Sequence, residues 1–145
     1  MTRIFYVDAA KAKNNKNYWK CSVVENQENV VNFYNGKAKC SGEAEAFVIL
    51  KTIFWLVEQK YQGEVIIYSD CSSLTGYQSM KKIATGIRKK EGEKSKKYTR
   101  KKKIKNRTSE FLLLAKAIAW RNNLNLKIRW VKGKKNPADY YSRHN

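Results

Sequence analysis

The spacing of apolar residues changes from strand-like to helical and back early in the chain, and that change restricts the fold more than any other feature. Residues 3 to 8, 18 to 25 and 30 to 34 are β-branched and aromatic segments of strand length, separated by Asn-rich and Gly-containing connections. Connections this short join antiparallel neighbours, because a parallel pair needs a crossover of about a dozen residues or more. From Ser41, read as an N-cap, to about Tyr61 the period becomes helical, with Ala46, Ile49, Leu50, Ile53 and Val57 recurring at steps of three and four. An apolar strand over 65 to 69 then runs into Asp70. Strand, long helix and strand form a crossover unit, so this strand lies parallel to one of the first three and the sheet is mixed.

Further helices are expected from near Ser72 and from about Ser109 to Arg121, with a last strand over 126 to 131 and a short helix beginning at Pro137 after Asn136. The order is βββαβααβα, an α/β class with a five-stranded mixed sheet. A length of 145 residues suits a single domain over 1–145.

Charge narrows the partner. The chain holds 31 Lys and Arg against 12 Asp and Glu, a formal +19, which attracts polyanions over a Debye length. Nucleic acid is the expected partner, and no membrane partner is expected, because no segment approaches the roughly 18 apolar residues of a spanning helix. Cys21, Cys40 and Cys71 are far apart and the chain has one His, so neither a zinc site nor a disulfide framework is expected. The first residues lack the regions of a signal peptide, and a cytoplasmic setting is the expectation.

Against so few acids, Asp8 and Asp70 both read as following apolar strands, where sheets with crossover helices place their binding crevices. An Asp after a strand also serves as a turn former, so either one alone says little. A carboxylate cluster on a basic protein has a chemical rationale. Phosphodiester hydrolysis needs an activated water and a stabiliser for charge on the phosphoryl oxygens, and paired Mg²⁺ ions held by oxygen ligands supply both.

The order and local sequences resemble type I ribonuclease H: Phe5-Tyr6-Val7-Asp8 in a strand, Ala44-Glu45 opening a helix, Tyr68-Ser69-Asp70-Cys71-Ser72 at a strand end, and Trp130-Val131-Lys132-Gly133 followed by Asn136-Pro137-Ala138-Asp139. The terminal motif is also similar to ribonuclease H domains of retroelements. The resemblance covers nearly the whole chain and implies helices on both faces of the sheet. It also implies a site of Asp8, Glu45, Asp70 and Asp139 holding two Mg²⁺ ions, with Mn²⁺ able to substitute. Asp8 would bridge the two ions. Helix geometry does not separate Glu45 from Glu43, and the Ala-Glu match favours Glu45. Lys134 stands where the family commonly has a His after the Gly, which implies an altered rate or metal dependence. The sole His, His144, reads as a solvated tail residue.

From Lys81 to Arg107 there are 14 Lys or Arg against Glu91 and Glu93, a net +12. The resemblance makes this a basic protrusion between two helices that grips the DNA strand of a hybrid, with Lys101, Lys102 and Lys103 contacting phosphates. It places Ser41, Gly42 and Ser72 on the RNA 2′-hydroxyls, Cys40 near a DNA phosphate, and Lys134 beside the substrate. The implied activity is endonucleolytic cleavage of the RNA strand of RNA/DNA hybrids by a monomer, giving 5′-phosphate and 3′-hydroxyl ends. Two other readings fit parts of the chain. A resolvase or transposase core of the same fold is disfavoured by the Asn136 to Asp139 match, and a non-catalytic hybrid-binding module by four acids in order.

Overall fold

Strand β1 (Thr2–Lys11) takes the centre of a five-stranded sheet. The computed structural model describes residues 1–13, 17–71, 74 and 107–144, the last by its backbone alone. On one side β1 pairs antiparallel with β2 (Tyr18–Glu25), which pairs antiparallel with β3 (Asn29–Lys37). On the other side β1 pairs parallel with β4 (Gly63–Ser69), and β4 with β5 (Leu124–Trp130). The order β3-β2-β1-β4-β5 is the mixed sheet that the crossover unit requires, with α1 (Ser41–Glu58) as the crossover. Helix α2 (Thr108–Arg121) leads into β5, and a 3₁₀ turn at Gly133–Lys135 precedes helix α3 (Pro137–His144).

Three local expectations are corrected. Strand β1 runs to Lys11, so Asp8 lies within the β1–β2 ladder opposite Ser22. Ala9, Ala10 and Lys11 have little strand preference of their own and extend because Cys21, Lys20 and Trp19 face them across the hairpin. Strand β3 likewise continues past residue 34 to Lys37, opposite Tyr18. Ser41 is the first helical residue, not the cap; extended Cys40 occupies that position without a side-chain cap bond. The helix expected near Ser72 and the protrusion over 81 to 107 lie outside the described residues, apart from buried Leu74 and Arg107.

Side chains alternate across a strand, so β1 serves two layers. Phe5 meets Trp55 of α1 edge-to-face at 6.1 Å, while Ser22, the partner of Asp8 in β2, meets Ser142 of α3 with the two hydroxyl oxygens 2.7 Å apart. Helices thus cover both faces. The α1 side carries the core: Phe5, Val7, Val23, Ile67 and Ile128 from the sheet pack on Ile49, Ile53 and Leu56 of α1 and Leu112 of α2, all essentially inaccessible. Each such side chain contributes about 1.5–3 kcal/mol by leaving water.

Polar bonds anchor α3. Asn136 is buried; its amide donates to the Val7 carbonyl of β1 at 2.9 Å, and its Oδ1 accepts from the Ala138 amide at 3.0 Å, capping the helix that Pro137 opens. One turn on, Ser142 lies 3.1 Å from the Asp8 carbonyl, and the Ser22 hydroxyl lies 2.6 Å from the Ala138 carbonyl. Asn136→Ala removes both amide bonds and strands a buried carbonyl. It should destabilise the protein by about 1–3 kcal/mol in urea unfolding, and an unchanged midpoint would remove Asn136 from the anchor.

Candidate active site

The parallel β1–β4 pairing ends at Tyr6 and Tyr68. Asp8 and Asp70 are each two residues beyond that last pair, so matching register sets them side by side where the strands part. Glu45 reaches the same place from the first turns of α1, because the crossover helix starts above this end of the sheet. One carboxylate oxygen from each of Asp8, Glu45 and Asp70 falls within 4.8 Å of the others. Asp139, from α3 on the opposite face, lines the same open cleft of about 1240 Å³. The four acids therefore come from β1, α1, the end of β4 and α3.

Each carboxylate is held differently. Glu45 is 2 % exposed and accepts a hydrogen bond from the Ser69 hydroxyl at 2.5 Å. Asp70 is steadied through its backbone: the Trp130 indole N–H donates to its carbonyl at 3.2 Å, and the Val131 amide donates to the Ser69 carbonyl at 3.0 Å. A Cβ at Gly133 would stand 3.2 Å from Asp70 Oδ2, so the chain passes the carboxylate closely there, as a glycine permits. The Trp-Val-Lys-Gly segment thus acts on Asp70 from outside the cluster. Asp139 is bridged to Arg143 one turn along α3, Nε to Oδ1 at 3.0 Å.

Burial, and crowding after it, raises the proton affinity of these acids. Burial, then the charges of Asp70 and Asp139, push Asp8 up to about 8. Burial pushes Glu45 up to about 9 against the lowering bond from Ser69, and burial with the Asp139 charge raises Asp70. Cys21, buried beside them, is driven to about 12 by burial and by Glu45 and Asp8, which keeps it a thiol. The donor set is all carboxylate oxygen, which suits a hard divalent cation such as Mg²⁺, and such a cation would offset the repulsion that now favours protons.

Glu43 goes elsewhere. Its buried carboxylate accepts from the Arg107 amide at 3.0 Å, at the start of α2, where an anion is favoured by the exposed amides and helix dipole. Two residues apart on α1, Glu43 and Glu45 thus face different partners. Ser41 lines the cleft, whereas Cys40, Gly42 and exposed Lys134 do not. Ser72, Lys101, Lys102 and Lys103 lie outside the described residues, and His144 is described by its backbone alone. Four cations lining the cleft were missed: Lys11, Lys13, Lys20 and Arg143. Arg143 had a signal in its four-residue spacing from Asp139 on a helix, but Lys20 depends on its pairing with Ala10, which strand patterning alone leaves open.

Two measurements follow. Asp8 and Glu45 bind protons more tightly in the folded chain than in the unfolded one, where carboxyl groups titrate near 4. Without metal, their contribution to stability is therefore complete below about pH 4 and is lost as pH rises through about 8 and 9. Melting in EDTA should fall between pH 5 and 9, millimolar Mg²⁺ should shrink that fall, and Asp8→Asn should raise the metal-free Tm at pH 8 by about 2–4 °C. A Tm independent of pH in EDTA would contradict the crowding. By calorimetry, Glu45→Gln should weaken Mn²⁺ binding at least about tenfold, and Glu43→Gln, which retains an acceptor for Arg107, should stay within about twofold. Equal losses would mean that both glutamates serve the ion.

No protein-family profile matches the chain, and no curated protein matches it in sequence. Solved structures do match. The N-terminal ribonuclease H domain of a Mycobacterium tuberculosis protein, solved as a fusion with maltose binding protein, superposes with a TM-score of 0.59 at 14% identity, over 99% of this chain and 91% of that one. LC11-RNase H1 in complex with RNA/DNA hybrid gives a TM-score of 0.61 at 13% identity, over 98% and 94%. The protease-reverse transcriptase of prototype foamy virus gives 0.52 at 15%, over 98% of this chain and 20% of that one. At such identities the likeness is one of fold. With the strand order β3-β2-β1-β4-β5 and helices on both faces, this chain has the fold of type I ribonuclease H.

Proposed function

We propose that the protein is a divalent-metal-dependent endoribonuclease that cleaves the RNA strand of RNA/DNA hybrids, leaving 5′-phosphate and 3′-hydroxyl ends. The observation that carries this reading is the convergence of Asp8, Glu45 and Asp70 within 4.8 Å, with Asp139 on the same cleft, in a ribonuclease H fold. Two Mg²⁺ ions, or Mn²⁺ in their place, would supply an activated water and stabilise the charge that develops on the scissile phosphate. Asp8, Glu45, Asp70 and Asp139 would hold the ions, with Asp8 shared between the two as the family resemblance implies.

The basic surface supplies what the acids cannot. Lys11, Lys13, Lys20 and Arg143 give the cleft cations beside its carboxylates, so a phosphodiester backbone can approach a cluster that would otherwise repel it. Lys101, Lys102 and Lys103 would extend that footprint along the DNA strand, and Ser41, on the cleft, and Ser72 would meet the 2′-hydroxyls. Lys134 stands where the family commonly has a proton-shuttling His, so turnover would run without that shuttle.

Incubation of an end-labelled RNA/DNA hybrid with Mg²⁺ or Mn²⁺ tests the reading. The wild type should cleave the RNA strand alone, and Asp70→Asn should lower the rate at least about 100-fold. An intact hybrid under both metals would refute the enzyme, leaving a binding module. Cleavage retained by Asp70→Asn would refute the site.

A further inference from the structure

We propose that Arg143 is a positioning residue for Asp139: a built-in counter-ion that holds this carboxylate in the metal-free site and passes to a phosphate of the bound nucleic acid once a metal ion takes Asp139. The inference rests on the metal-dependent reading above. Arg143 Nε bonds Asp139 Oδ1 at 3.0 Å, and the Arg143 side chain is 68 % exposed against 33 % for Asp139. Arg143 lines the same cleft as Asp8 and Asp70, so it stands beside the acidic cluster as well as its helix neighbour.

The backbone beneath Arg143 is anchored, while its side chain reaches into solvent. Ser142, the preceding residue, is buried against Ser22 and the Asp8 carbonyl, so α3 is tied down beside this position. An exposed guanidinium on a fixed stem can exchange one oxyanion for another without moving the helix, and its planar fork suits a phosphate as well as a carboxylate. Lys11, Lys13 and Lys20, from the β1–β2 hairpin, line the same cleft. Arg143 brings a cation from α3, so a backbone entering the cleft meets positive charge from both elements.

A cation bound through Asp139 competes with Arg143 for the carboxylate's charge, so the ion pair reduces metal affinity until substrate draws Arg143 away. The effect should be small, since exposed pairs alter binding only about threefold. Mn²⁺ titration of the full chain without nucleic acid, by calorimetry, should show Arg143→Gln binding about threefold tighter than wild type, with Arg143→Lys close to wild type. In an Asp139→Asn background the gain from Arg143→Gln should vanish. In steady-state cleavage of the hybrid, Arg143→Gln should raise KM about fivefold or more while changing kcat less than about twofold. Unchanged Mn²⁺ affinity, a gain that persists with Asp139→Asn, or an unchanged KM would each overturn the proposal and leave a helix-surface pair. A wild type that binds no Mn²⁺ overturns the metal site itself, which separates the two failures.

Discussion

Three carboxylates packed within 4.8 Å at the end of a sheet repel one another, and the surrounding structure is arranged to hold them there. In water such groups would separate; here each is tied to a different element. Asp8 belongs to the central strand, Glu45 is bonded to Ser69, and Asp70 is steadied through Trp130 and the neighbouring Ser69–Val131 bond. Burial first, and this repulsion second, favour proton uptake, which is why Asp8 and Glu45 rise to about 8 and about 9. Clustered carboxylate oxygens of this kind also suit a hard divalent cation, whose charge would offset their mutual repulsion. Local destabilisation at a site of this kind is maintained by a well-packed core on the α1 face.

The layer opposite that core is joined by polar bonds. Asn136 and Ser142 connect α3 to the backbone of β1 and Ser22 connects it to β2, which together fix Asp139 and Arg143 relative to Asp8. Eight residues form a helix too short to be stable in isolation, so its position depends on these buried hydrogen bonds and the Pro137 start. Polar anchoring suits a helix that must present an acid and a base to solvent on its other side.

A formal +19 and a buried acidic cluster are complementary properties of one molecule. The excess positive charge attracts polyanions over about a Debye length; the acids act over a few ångströms, as an oxygen-rich cluster of the kind that suits a hard cation. Lys11, Lys13, Lys20 and Arg143 bring the first property into contact with the second at the cleft.

Much of this was legible in the chain. The change from period two to period three to four and back determined the mixed sheet, the crossover helix and the placement of Asp70, because burial of one face must follow the geometry of each element. Asn136 and Pro137 likewise announced the start of α3 through capping chemistry that acts within a few residues. The full length of β1 was not legible: Ala9 to Lys11 are strand only because β2 lies beside them. Nor was the separation of Glu43 from Glu45, two neighbours on one helix whose partners, the Arg107 amide and the Ser69 hydroxyl, lie 64 and 24 residues away. The sequence by itself determined which elements form and which acids are available. Tertiary structure alone decided which acids meet and which cations face them, because those choices depend on strand register and helix docking between residues far apart in the chain.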